Sequence, residues 1–368
     1  MKILWSGPVV DRNLCNTSSA ISPAANNWQL DFINGLIDNN VPISIFSYLP
    51  NPSWPKGLFT PKHKKSNICN HYSVSYFNIH WLRNYIIAFK YIHLLKKHHK
   101  NGKKYDVLIT YNASKQNLFF GKYFKDKYKG IWVSIIADEY TSGYPDIEVY
   151  LSYGYYLRSL STFKMHLNGA TPFFKECKIV KSSKKSLIYC GTIDKWTGII
   201  KFIDDFVEIN DDDFELHIYG KGNIIEAKNM NSKNIIYHGF VSENVLQEAC
   251  MNAFAFVNPR PTNIPGIENN FPSKILFYLS FGKPIISTKT EGISPLFDNL
   301  LCYYNPIDTN DLIRVFEFLK LLNNEDDLYT IQDRSRDFCK QNTWQQQTEL
   351  FLDFISNYNN KIHEREVY

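Results

Sequence analysis

The chain has 368 residues, 44% hydrophobic and 21% charged, which suits two folded domains of ordinary size and excludes a disordered polymer. A formal charge of +5 spread over such a surface does not argue for nucleic acid, although lysines and histidines crowd residues 56–104 as KHKK and KKHHKNGKK. Cysteines at Cys15, Cys69, Cys177, Cys190, Cys250, Cys302 and Cys339 form no C-x-x-C pair, which argues against a disulfide framework or a zinc site and for reduced thiols.

From the N-terminus, MKILWSGPVV reads as a first buried strand running into Gly7-Pro8, too short for a signal segment. In residues 28–40, Trp28, Leu30, Phe32, Ile33, Leu36 and Ile37 recur at helical spacing, and PISIFSY (42–48) follows as a strand. That order fits a βαβ unit with a parallel crossover. Residues 81–100 have apolar positions at helical spacing and a basic end. They suit either an ordinary helix covering a sheet or one lying on a membrane surface. YDVLITYN (105–112) and GIWVSIIAD (130–138) read as buried strands, and residues 140–170 as a Tyr-rich helical region. The polar, Lys-rich stretch 171–186 reads as an interdomain linker. No apolar run is long enough to span a bilayer, so a soluble or peripheral protein is expected.

A second alternation follows: strand 186–192, helix 198–209, strands 214–222 and 235–240, helix 242–252 and strand 253–259. Then FPSKILFYLSFGKPIIST (271–288) reads as a Pro-Ser start, an apolar helix, a Gly-Lys-Pro break and a short buried strand. Ser273 stands where a helix cap would be, and Gly282 and Pro284 end the helix. Alternating strands and helices imply parallel, doubly wound sheets. WQQQTELFLDFISNYNN (344–360) reads as a C-terminal helix.

Ligands of such sheets sit beyond the carboxyl ends of the strands, so the groups there are the candidates. YCGTIDKWTG (189–198) offers a close-approach glycine, Gly191, then Thr192 and the flexible cation Lys195; a solvated loop lysine accounts for it as well. YGKG (219–222) places Lys221 between Gly220 and Gly222, either as a ligand contact or as a plain turn. HGFVS (238–242) brings Phe240 and Val241 ahead of Ser242, itself a candidate cap. The loop 258–274 carries Arg260, whose guanidinium suits phosphate or carboxylate. Near the N-terminus Gly7 ends a strand. Asp138 and Glu139 end another and suit acceptor binding or assistance to an acceptor hydroxyl, or else capping.

The 271–288 stretch resembles the donor-binding helix of retaining glycosyltransferases of the GT-B group, family 4, whose members often read P-S/N-K, E-Y-L and G-K-P-V-I. Pro272, Ser273, Lys274, Tyr278, Leu279, Gly282, Lys283 and Pro284 match that pattern. The family's E-x7-E pair is not kept: Phe277 stands at the second position and Asn269 at the first, with Glu268 beside it. The resemblance is concentrated in residues 186–292.

That resemblance implies an α/β chain of two Rossmann-like doubly wound domains facing a central cleft. Residues 1–170 would bind the acceptor, 171–186 link, 187–340 bind the nucleotide-sugar, and a C-terminal helix within 341–368 return to the first domain. It implies transfer of a sugar from a nucleotide-diphosphate donor to a saccharide, polyprenyl-linked in polysaccharide synthesis such as capsule or O-antigen. An abundance of Asn, Lys, Ile and Tyr suggests an AT-rich bacterial gene, and a cytoplasmic place, peripheral on the membrane face, follows by the same resemblance. Catalytic roles fall to Asp138, Glu268, Lys195 and Arg260. Donor contacts fall to Gly7, Gly191, Thr192, Lys195, Gly220, Lys221, Phe240, Val241, Asn269, Ser273 and Lys274. No metal and no cofactor are expected, the nucleotide-sugar being a substrate, and no nucleic acid partner. Phe277 keeps a second account open, a non-catalytic nucleotide-sugar or carbohydrate binder of the same fold; a nucleotide-sugar epimerase is a third.

Overall fold

A computed structural model describes the chain except for residues 13, 15–19, 63–67, 69, 138–144, 174–183, 223–225, 267–268, 323–324 and 367–368. It divides into two compact units, Met1–Gly169 with Trp344–Tyr368, and Ala170–Thr343.

The first unit contains β1 (Ile3–Ser6), α1 (Pro23–Asp38), β2 (Ile43–Tyr48), β3 (His71–Val74), α2 (Arg83–Lys100), β4 (Val107–Tyr111), α3 (Lys115–Tyr128), β5 (Ile131–Ile136), β6 (Ile147–Tyr150), α4 (Tyr153–Arg158) and β7 (Lys164–His166). Its strands lie in the order β3-β2-β1-β4-β5-β6-β7. Every pairing is parallel, as in Ile3↔Ile43 and Ile3↔Val107. A parallel sheet is covered on both faces, so its strands are apolar throughout; all five residues of β4 are buried. Trp5, Phe32 and Ile33 pack on one side. Phe46, Tyr91, Phe120 and Trp132 pack on the other. Each such side chain contributes roughly 1.5–3 kcal/mol by leaving water.

The second unit contains β8 (Lys185–Cys190), α5 (Ile199–Ile209), β9 (Phe214–Tyr219), β10 (Ile235–Gly239), α6 (Glu243–Met251), β11 (Ala255–Asn258), α7 (Lys274–Leu279), β12 (Ile285–Thr288), β13 (Cys302–Tyr304), α8 (Thr309–Leu321) and α9 (Glu325–Gln341). Its parallel sheet runs β10-β9-β8-β11-β12-β13. This is the doubly wound order in which strand order reverses between the first and fourth strands, here β8 and β11. Phe202, Phe206 and Phe316 cover one face, and Phe256, Tyr278 and Phe297 the other.

α10 (Trp344–Glu366) belongs to the first unit and lies against α1. Phe351 meets Phe32 edge-on at 5.1 Å, and Trp344 meets Trp28 edge-on at 5.4 Å. Asn39 at the end of α1 donates to Gln345 O at 2.9 Å and Thr348 Oγ1 at 2.8 Å.

Three expectations are corrected. Residues 140–170 were expected to be helical, but those described form two strands around the six-residue α4. Ile147–Tyr150 is wholly buried, so its aromatic and branched residues serve the sheet rather than a helix face. The linker expected over 171–186 reaches too far, since β8 starts at Lys185; residues 174–183 of it lie outside the described residues. α1 starts five residues before its expected Trp28, because Ser22 caps it by accepting from Ala25 N and Pro23 opens its first turn.

Candidate functional site

The switch point of the second unit gathers four segments: the end of β8, the loop after β11, the start of α7 and the end of β12. At the end of β8, Gly191 has φ +150° and Gly220, after β9, has φ +146°. A Cβ on Gly220 would overlap the Gly191 carbonyl, and one on Gly191 would overlap the Lys274 amine. Only glycine lets these three chain segments meet so closely.

Lys274, the first residue of α7, lies across that gap. Its amine donates to Tyr189 Oη at 3.0 Å and stands 4.3 Å above the Tyr189 ring. Tyr189 Oη in turn donates to Thr192 O at 2.6 Å. Burial pushes the Tyr189 phenol up to about 12, so it holds its proton near neutrality. Burial, reinforced by the neighbouring Arg260 guanidinium, lowers the Lys274 amine to about 7. Among the described residues no carboxylate counters either cation: the groups that act on Lys274 are Arg260 and Cys190, and those on Arg260 are Tyr189 and Tyr278. Two cations crowded without an acid, among the described residues, form an anion site waiting for its charge.

The backbone holds this pair rigidly. Arg260 N donates to Thr288 Oγ1 at 2.9 Å, and Thr288 Oγ1 donates back to Arg260 O at 2.8 Å. Tyr278, fully buried and stacked on Phe256 at 4.5 Å, accepts the Cys190 N–H at 3.1 Å. That bond ties α7, and with it Lys274, to the end of β8. Lys195 lies in a single 3-10 turn whose start is capped by Asp194 accepting from Trp196 N at 3.1 Å. Lys195 and Arg260 line one hollow of about 360 Å³ with Gly198, Pro259, Ile264 and Ile307.

The remaining expected residues fall as follows. Thr192 supplies its carbonyl to Tyr189 and to Thr197 Oγ1. Lys221 stands 4.3 Å over the Phe240 ring, and Phe240 is exposed. Val241 packs partly buried beside α6 and α7. Asn269 and Asn270 lie so close to Gly292 that any side chain there would strike their carbonyls. Asp138, Glu139 and Glu268 lie outside the described residues. Gly7 belongs to the first unit, where the space above it is taken by Gln29 Oε1 and Trp5 Nε1. Around it, at the β1/β4 switch point, a hollow of about 260 Å³ is lined by Gln29, Tyr48, Tyr111, Asn112 and Gln116, with no Asp, Glu, Lys or Arg among the described residues.

Two capping expectations are corrected. Ser273 precedes α7, but its backbone is already helical (φ −53°, ψ −18°) and its hydroxyl caps nothing. A cap needs extended backbone to turn its oxygen onto the following amides. The Ile275 amide is taken by Pro272 O at 3.0 Å, and α7 has six residues. The anion chemistry therefore rests on side-chain cations more than on a helix end. Ser242 likewise makes no side-chain cap to α6. The Asp211-Asp212-Asp213 run lies in a turn, where Lys320 pairs with Asp211 at 2.6 Å and Asp213 at 3.4 Å. Among the described residues no group of three or more His, Cys, Asp or Glu could hold a metal ion, and no helix is long and apolar enough to cross a membrane.

Sequence reasoning missed Tyr189 and Thr288. The signal for Tyr189 was present: a tyrosine inside a buried strand needs a partner for its hydroxyl.

Residues 184–315 match the family model of glycosyl transferases group 1. No curated protein matches by sequence. Among solved structures, the apo lipopolysaccharide outer core galactosyltransferase WaaB superposes with a TM-score of 0.71 at 16% identity, over 97% of this chain and 99% of that one. A glycosyltransferase from Rickettsia africae gives 0.67 at 12% identity, over 97% and 99%. HepE of Anabaena, in complex with UDP and glucose, gives 0.61 at 12%, over 96% and 99%. The second unit thus carries a glycosyl transferases group 1 domain, and the two-unit α/β fold is that of the GT-B glycosyltransferases.

Proposed function

We propose that the protein is a glycosyltransferase that moves a sugar, a hexose, from a nucleotide-diphosphate donor held by the second unit to a saccharide acceptor. The observation that carries this is the crowded pair Lys274 and Arg260 at the β8/β11 switch point, uncountered among the described residues, where a doubly wound sheet binds its ligand. Departure of a nucleoside diphosphate develops negative charge, and preset cations stabilise that charge best where it appears. Lys274 and Arg260 take the phosphoryl oxygens, Lys195 approaches from the adjoining hollow, and the Phe240–Val241 loop meets the base. Within the same reading Asp138 and Glu268 serve the acceptor hydroxyl and the sugar, the reaction retains anomeric configuration as in family 4, and neither a metal nor a cofactor enters. HepE bound to UDP and glucose, and the galactosyltransferase WaaB, support a nucleotide-sugar donor and a surface-polysaccharide acceptor, here taken as lipid-linked and reached from the cytoplasmic face.

A second reading, a non-catalytic binder of the same ligand, is favoured by Phe277, which packs edge-on against Phe281 at 5.1 Å where the family has a glutamate. Labelled UDP-, GDP- and dTDP-sugars separate the two. Release of labelled sugar to acceptor or water that falls in Lys274→Ala supports the enzyme. Binding with no release from any donor leaves the binder, and binding of none ends both.

A further inference from the structure

At the edge of the second unit's sheet, two imidazoles and a phenol form a stack that the donor chemistry does not use. β10 is the edge strand, and its parallel register with β9 slips between Tyr237 and Gly239, which places His238 in the slip. Such an irregularity re-aims a side chain. Here the His238 ring lies on Tyr219 at 4.3 Å with 2° between the planes. It also runs beside the His217 ring at 5.2 Å and 10°, and His217 Nδ1 stands 3.0 Å from His238 Nε2.

The chain held by this contact leads straight to the donor site. The Gly220 amide donates to Gly239 O at 2.8 Å, and Tyr237 Oη donates to Gly220 O at 3.0 Å. Gly220 is the residue pressed against the Gly191 carbonyl. From Gly239 the chain runs on into Phe240 and Val241. Among the described strands β10 is paired on one side only, so an interrupted ladder and the ring contact are what fix this end.

Two facing ring nitrogens share one hydrogen: one donates and the other keeps its lone pair. A first added proton is accommodated, because each ring has a second nitrogen turned away from the contact. That of His217 has Glu215 Oε2 at 3.7 Å. A second proton leaves two N–H groups facing each other with no acceptor between them. Burial lowers both imidazoles from their ordinary 6.5, so the pair is uncharged at neutral pH and charges in acid. The groups around it do not undo this. Glu215 is shared with Lys184 at 3.6 Å. α6 packs on the same face through Leu246 and Cys250 and keeps Glu243 and Glu248 exposed. Lys221 lies over Phe240. Burial pushes the Tyr219 phenol and the Cys250 thiol up, so both stay neutral in acid.

We propose that the His217–His238 pair is a proton-operated release for the donor site. Its second protonation parts the rings, draws Gly239 away from Gly220 and lowers the affinity for nucleoside diphosphate. The proposal rests on the reading of the second unit as a nucleotide-sugar site. Its sign sets it apart from the cation pair: the Lys274 amine, at about 7, is charged in acid and favours the ligand there.

The test uses the full chain and two variants, His238→Phe, which keeps a ring for Tyr219, and His238→Gln, which keeps a hydrogen-bonding group for His217; neither takes a proton. Calorimetry at pH 7.5 and pH 5.0 uses whichever of UDP, GDP, dTDP and CDP binds best at the higher pH. Wild type is expected to lose at least about fivefold more affinity in acid than either variant, the ligand's own protonation being common to all three. In ligand-free wild type, the Gly220 and Gly239 amide NMR signals should move with the second imidazole titration step. Equal acid losses in wild type and variants overturn the inference. So do variants weakened by the same factor at both pH values, which marks a packing role, and so do glycine amides that stay still while the imidazoles titrate. If no diphosphate binds at pH 7.5 the functional reading falls, and the ligand-free titration still decides whether the pair releases Gly220.

Discussion

The two switch points, β1/β4 and β8/β11, are built by the same winding and furnished with opposite chemistry. In the first, Gly7 makes room for Gln29 and Trp5, and among the described residues the neighbouring hollow is lined by amides and phenols without a formal charge. In the second, Gly191 makes room for the Lys274 amine, with Arg260 beside it and, among the described residues, no acid to answer either. The fold decides where a ligand can sit; the side chain that fills the glycine's missing Cβ decides what the ligand can be. A neutral hollow suits sugar hydroxyls, whereas a cationic one suits phosphates.

The largest expected effect separates the units by stability. Phe351 is fully buried against Phe32 in the first unit, so Phe351→Ala costs about 3–4 kcal/mol there. Chemical denaturation should show the first unit melting early while nucleoside diphosphate still protects the second. Next, Lys274→Met removes one cation of the pair and lowers nucleoside diphosphate affinity by about a hundredfold, some 2.7 kcal/mol, without affecting neutral saccharide binding. Titration calorimetry measures both. An equal loss for saccharide would erase the contrast between the two sites.

The third effect is a pH dependence. The folded Lys274 amine titrates at about 7, below the ordinary lysine value of 10.5. A lysine lowered on folding binds fewer protons folded than unfolded between these values. The ligand-free protein therefore gains stability from this group as pH rises from 7 towards 10.5. Diphosphate affinity runs the other way: it falls as pH climbs above 7, because the neutral amine no longer attracts the ligand. Wild type should lose about tenfold from pH 7 to 8.5, beyond any change in Lys274→Met. A smaller loss, about 1–2 kcal/mol of stability, is expected for Tyr278→Phe, which strands the buried Cys190 amide. Lys195→Ala, altering a cation at the edge of the hollow, should cost only several-fold in donor affinity and leave the melting temperature unchanged.

Much of the architecture was legible because parallel strands buried on both faces write themselves as short apolar runs, as in Val107–Tyr111 and Ala255–Asn258. β3 and β7 were not legible: HYSV and KMH are short, polar and only partly buried, so their strand character comes from the neighbour they pair with. At the site, Gly191, Arg260 and Lys274 were readable as strand-end and loop groups. Their convergence was not, because it depends on contacts across long sequence distances, such as Tyr189 with Lys274 and Arg260 with Thr288. The cap expected of Ser273 failed because residue type signals a cap only where the backbone is extended.

The central claim is that the β8/β11 switch point grips two linked phosphates. Calorimetric titration with UDP, GDP, dTDP and CDP at pH 7, each paired with its bare nucleoside and repeated in buffers of different ionisation enthalpy, tests it most directly. The account predicts that at least one diphosphate binds far more tightly than its nucleoside and takes up protons on binding, and that Lys274→Met abolishes both differences. A nucleoside that binds as well as its diphosphate, or binding with no proton uptake in wild type, would contradict it.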